Sequence, residues 1–181
     1  MSDHEEIIAA KIEEITELLE RFSRVQTEIL IYLQRALDLF QAAATPSPAT
    51  AVPSHYEEME ALEKSFENSI HEVLNIETAL KNLTLQRQLA EVDEEGQKAV
   101  LIFSELLNAF TLQIDTVSIL LHSGETMLST VSVTDGETQN YKEGFLRFYS
   151  QLRHEFTSMK DFIKEMSKDF QLLGDTSDFA S

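Results

Sequence analysis

Five histidines and 32 acids are the side chains with the widest chemical reach in this 181-residue chain, which has no cysteine. In helical proteins such side chains build di-iron sites, where a Glu stands three residues before a His on an inward face. The residues three before His4, His55, His71, His122 and His154 are Met1, Val52, Asn68, Ile119 and Gln151, so the Glu-x-x-His pattern is absent. Glu67 and His71 form a four-residue helical pair able to catch a stray metal ion, but a solvated pair is the expected reading. His122 falls beside an apolar stripe and is expected to be partly buried and bonded to backbone or carboxylate, with a pH switch as the lesser reading. Ser123-Gly124-Glu125 lacks the Gly-x-Ser-x-Gly of a nucleophile elbow, and no Gly-rich phosphate loop or dinucleotide fingerprint occurs. No catalytic residue, metal ligand set or cofactor is therefore expected, and the chain reads as a non-enzyme.

The acids have a second use. Glu13, Glu14, Glu17 and Glu20, and again Glu57, Glu58, Glu60 and Glu63, recur at helical spacing off the apolar positions. Such runs are ordinarily solvated faces; the sharper alternative is a mimic of nucleic-acid phosphates that fills a basic protein groove. The formal net charge of −18 repels nucleic acid and anionic membrane surfaces from the molecule as a whole. The charge is uneven, since residues 141–170 hold six bases and five acids whereas residues 1–140 hold eight bases and 25 acids. The last helix is thus the expected electrostatic neighbour of acidic helices, within the fold or in a second copy.

What positions these groups is a set of long helices. Val100, Phe103, Leu107, Phe110, Ile114, Val117, Leu121, Gly124, Leu128 and Val131 alternate steps of three and four, with only Gly124 lacking a side chain. That period draws one apolar seam along a helix, and a seam is stable only when other helices cover it. Ile8, Ile12, Ile15, Leu19, Phe22, Gln26, Ile29, Leu33, Ala36 and Phe40 repeat it, with Gln26 read as a satisfied core amide or register pin. Met59, Leu62, Phe66, Ser69, Val73, Ile76, Leu80 and Leu83 form a third seam. The fourth is Tyr141, Phe145, Phe148, Leu152, Phe156, Met159, Ile163, Met166, Phe170 and Leu173. Two consecutive four-residue steps from Phe148 to Phe156 make a stutter.

The punctuation predicts helices over about 3–43, 55–92, 97–133 and 140–173, a linker at 44–54 and a flexible tail at 175–181, all one domain to residue 174. Ser2 with Glu5 and Ser54 with Glu57 read as capping boxes, Gly96 and Gly174 as helix stops, and Pro46, Pro48 and Pro53 all fall in the linker. Helices two and three running together through a kink is the alternative to a turn at Asp93–Gly96. The predicted fold is an all-α, elongated, antiparallel four-helix bundle with coiled-coil-like heptad seams.

Two faces remain after the seams are assigned. Leu18, Val25, Tyr32 and Leu39 widen the apolar face of helix one, and Leu112 and Ile119 lie roughly opposite the stripe of helix three. These six are the candidate interaction residues. They point to a helical partner chain, a homo-oligomer or both, with no direct nucleic-acid contact. Glu105, Asn108, Gln113 and Asp115 interrupt the most apolar run, which predicts a core helix and no membrane insertion. The acidic start lacks the apolar segment of a secretory signal, so a cytoplasmic location is expected, with the nucleus left open. The heptad pattern is similar in kind to that of kinetochore, Mediator, vesicle-tethering and secretion-chaperone subunits. It singles out no family, and no residue role is carried over. The expected function is a scaffold or assembly subunit, and the alternative is an acidic inhibitor that mimics nucleic acid.

Overall fold

A computed structural model describes residues 3–44, 52–85, 94–133 and 138–178, all of them helical. The helices are α1 (Asp3–Ala44), α2 (Val52–Leu85), α3 (Glu94–Val133) and α4 (Thr138–Asp178). They pack as an antiparallel four-helix bundle. Their residues group into two compact units. The first is Met1–Thr27, His71–Leu112 and Phe162–Ser181; the second is Glu28–Ile70 and Gln113–Asp161. Each unit thus collects the same end of α1 and α3 with the opposite end of α2 and α4, the pairing that an up-down-up-down bundle requires.

In the first unit the core is Leu18, Phe22 and Val25 of α1, Val73, Ile76, Leu80 and Leu83 of α2, Val100, Phe103, Leu107 and Phe110 of α3, and Met166 of α4. Phe22 anchors it, edge-on to Phe103 at 5.7 Å and to Phe110 at 5.2 Å between ring centroids. Such pairs add about 0.5–1.5 kcal/mol beyond the area they bury. Gln26 is buried here and donates through Nε2 to the Sδ of Met166 at 3.6 Å. Arg21 spans to α2, with Nε and Nη2 both 2.8 Å from Oε1 of Glu72.

The second unit is built on Ile29, Leu33, Ala36, Leu37, Leu39 and Phe40 of α1, and on Met59 and Phe66 of α2 with the buried hydroxyl of Ser69. Ile114, Val117, Leu121 and Leu128 of α3 and Phe145, Phe148, Leu152 and Met159 of α4 complete it. The gap in the α3 seam at Gly124 is filled from outside. A Cβ there would lie 2.6 Å from Cζ of Phe148 and 2.8 Å from Cζ of Phe40, whose own rings sit 4.3 Å apart. The missing side chain is the space these two rings occupy.

Several expectations are corrected. On α1 the core residue is Leu18, with Leu19 half-buried beside it, because a straight helix drifts about 20° per heptad from a seven-residue seam. Leu62, Phe156 and Ile163 are half-buried at the edge of their seams; at the stutter the core passes from Leu152 to Met159. Ser54 lies inside α2, which begins at Val52 with Pro53 in its first turn, where the missing amide costs nothing. Gly96 lies in the first turn of α3, and α4 runs through Gly174 to Asp178. A mid-helix glycine costs about 1 kcal/mol, which packing of the flanking turns readily overrides. Ser2, the linker at 45–51, residues 86–93 that bear on whether helices two and three are continuous, Asp135-Gly136 and residues 179–181 lie outside the described residues.

Candidate functional site

A helix that belongs to a bundle core should bury its apolar surface, and α3 does so only along its stripe. Val100–Thr130 has a mean hydropathy of 1.3 and is long and apolar enough to cross a membrane by length and composition, yet 33% of its most apolar window is buried. Two residues from each neighbouring stripe position, the helix turns through about 200°, so Leu112 and Ile119 point away from the core. Leu112 of the first unit and Ile119 of the second are each 69% exposed. Leu101 of the first unit is exposed as well. Glu105, Asn108 and Asp115 are exposed on the same helix and Gln113 is half-buried. The hydroxyls of Thr111, Thr126 and Thr130 donate to carbonyls of their own helix at 2.8, 3.0 and 2.9 Å, so they add little polarity outward.

The other candidate residues fall differently. Leu18, Val25 and Leu39 are buried within the chain and Tyr32 is half-buried.

In the second unit Ile119 forms the lip of an open groove of about 510 Å³, lined also by Thr116 and Leu120 of α3 and by Ser150, His154 and Glu155 of α4. A second groove, about 460 Å³, runs along α1 and α2 and includes His55, whose Nδ1 is buried without a hydrogen-bond partner.

One cluster in the second unit joins groups that the sequence holds far apart. Nδ1 of His122 lies 3.1 Å from Oε1 of Glu63 on α2 and 3.8 Å from Oε2 of Glu125, one turn further along α3. The carboxylate bond expected for His122 is present, but its burial is not: the side chain is 72% exposed, while those of Glu63 and Glu125 are 18% and 19% exposed. The Glu-x-x-His pattern does not describe this set, because the helical ligand follows His122, in the order His-x-x-Glu, and the third group comes from another helix. Glu67 and His71 are each exposed and belong to different units.

The charged faces are open. Glu13, Glu14, Glu17 and Glu20 of the first unit are exposed, as are Glu57 and Glu58 of the second, while Glu60 is half-buried. On α4, Lys168 pairs with Glu165 of its own helix at 3.4 Å and Lys160 stands 5.7 Å over the ring of Phe156. Among the described residues, the Lys168–Glu165 ion pair thus joins a base of α4 to an acid of the same helix. The chain matches no family model, no curated protein and no solved structure.

Proposed function

We propose that this protein is a non-enzymatic helical assembly subunit that binds another helical chain through apolar side chains its own bundle leaves in water. The exposure of Leu112 and Ile119, each 69% on the most apolar helix of the chain, carries this reading. An apolar side chain moved out of water contributes about 25 cal/mol per Å², so such residues on a helix rich in them favour association. The deciding experiment is an affinity pull-down with mass spectrometry, paired with chromatography and light scattering for self-association. The expected result is a predominantly helical partner, or a second copy, held through washing at about 0.5 M salt, since screening does not weaken apolar contacts. Leu112→Glu and Ile119→Glu should each weaken assembly while changing stability by less than about 0.5 kcal/mol. Val25→Glu, which places a charge in the core, should instead unfold the chain. A strictly monomeric protein that retains no partner refutes the proposal.

The exposed row Glu13, Glu14, Glu17 and Glu20 favours a second reading, an acidic inhibitor that occupies a nucleic-acid-binding groove. Its mark is a basic partner that elutes steeply with salt, and recovery of such a partner reverses the order of the two readings.

A further inference from the structure

We propose that Glu63, His122 and Glu125 form a binding site in the second unit for one divalent transition-metal ion of the zinc class. Each offers one ligand atom, and these atoms all lie within 4.8 Å of one another. A tetrahedral ion with bonds of about 2.1 Å sets its ligands about 3.4 Å apart. The separations from Nδ1 of His122, 3.1 and 3.8 Å, bracket that value. With the three ligand atoms within 4.8 Å of one another, side-chain rotation is enough to draw them toward such a shell. Glu63 approaches from α2, and His122 and Glu125 from one face of α3.

Electrostatics supplies a separate reason for a cation at this place. The two carboxylates are about four-fifths withdrawn from solvent, and among the described residues neither pairs with Lys or Arg. Two anions brought together away from water are costly unless positive charge joins them, and the protein around them carries a net charge of −18. In the absence of metal, Nδ1 of His122 and Oε1 of Glu63 lie within hydrogen-bond distance, and an ion bound between them displaces whatever proton they share. The imidazole nitrogen selects for zinc, copper, nickel or iron over magnesium and calcium, which prefer all-oxygen shells. The 72% exposure of His122 leaves a path from solvent and room for water as the fourth ligand. The bound ion would clip α2 to α3 and stabilise the folded chain by mass action.

Calorimetric titration of Zn²⁺ into the metal-free full chain tests the site, with circular dichroism to confirm each variant is folded. The expected result is one ion per chain, with binding weakened more than about 100-fold in His122→Ala, since even groups that only orient a ligand contribute about 10–100-fold. Glu63→Gln and Glu125→Gln should weaken it in the same way, and Co²⁺ should give the visible absorption of a tetrahedral site in the wild type but not in His122→Ala. Failure of the wild type to take up one Zn²⁺ saturably overturns the proposal. Equal affinity in wild type and His122→Ala also overturns it, and assigns the uptake to diffuse binding by the acidic faces.

Discussion

Replacing Gly124 by Leu would complete the α3 seam, and heptad reasoning by itself predicts a more stable protein. The structure predicts the reverse. Even the first carbon of a new side chain would fall 2.6 Å from Phe148 and 2.8 Å from Phe40, short of ordinary 3.4 Å contact by about 0.8 and 0.6 Å. Both rings belong to the core, at 4% and 0% exposure, and Phe40 also packs edge-on to Phe145 at 5.9 Å, so neither can swing outward freely. Overpacking of this kind costs about 1–3 kcal/mol, while leaving glycine for alanine in a helix regains about 1 kcal/mol. Gly124→Ala should therefore lose about 1 kcal/mol net, and Gly124→Leu, with three further carbons to place, more than about 2 kcal/mol. In urea, with a slope near 2 kcal/mol per molar, the midpoint should fall by about 0.5 M for alanine and by about 1 M or more for leucine. Combining Gly124→Ala with Phe148→Leu should give a loss smaller than the two single losses together, because the second change empties the space the first one fills. A raised midpoint for Gly124→Leu refutes the reasoning, since it would mean that the rings yield without cost.

Two further changes test polar groups in the first unit. Gln26→Leu should raise the urea midpoint by the equivalent of about 1 kcal/mol: the amide is buried, its sulfur acceptor is weak, and losing the bond strands no polar partner. A lowered midpoint would show that the amide pins the register of α1 against α4. Glu72→Gln should cost about 0.5 kcal/mol in low salt, because Arg21 and Glu72 are 31% and 34% exposed. The difference should vanish by about 1 M salt, and a loss that persists there would mean the contact is held by packing and not by charge.

The fold was legible because one physical requirement, burying a stripe of period close to 3.5, is written into every helix and satisfied only by neighbours. Phe22, Ile29, Phe110, Val117 and Leu152 are read this way and buried this way. Helix ends were less legible. Gly96, Gly174 and Ser54 each carry a local preference of about 1 kcal/mol, and each lies within a helix whose neighbouring turns contribute more. The seam at Leu18 and Leu19 shows the same limit at finer scale, since adjacent leucines both lie near the stripe and only the packed partners choose between them.

Geometry also explains which candidate residues the sequence could separate. Leu18 is four positions from Phe22, about 40° around the helix, and a residue that close to the core edge is covered as soon as the bundle brings up a second neighbour. Apolarity alone cannot distinguish a neighbour in the same chain from one in another chain, and on the flank of α1 Leu18, Val25 and Leu39 are buried within this chain while Tyr32 is half-buried. Leu112 and Ile119 carry no such ambiguity, for a residue some 200° from the stripe on both sides has no route to the same core. The His122 cluster poses the opposite problem. Its two α3 members are visible as His-x-x-Glu, but Glu63 joins them only through the level at which α2 lies against α3. A heptad seam leaves that level free to slide by whole heptads, because each seven-residue step presents an equivalent apolar stripe. Features that break the repeat remove that freedom, and the space at Gly124 that accepts Phe40 and Phe148 does so for α1 and α4 against α3. The level of α2 against α3 has no such marker in the stripe itself, which is why the meeting of Glu63 with His122 is visible only in the folded chain.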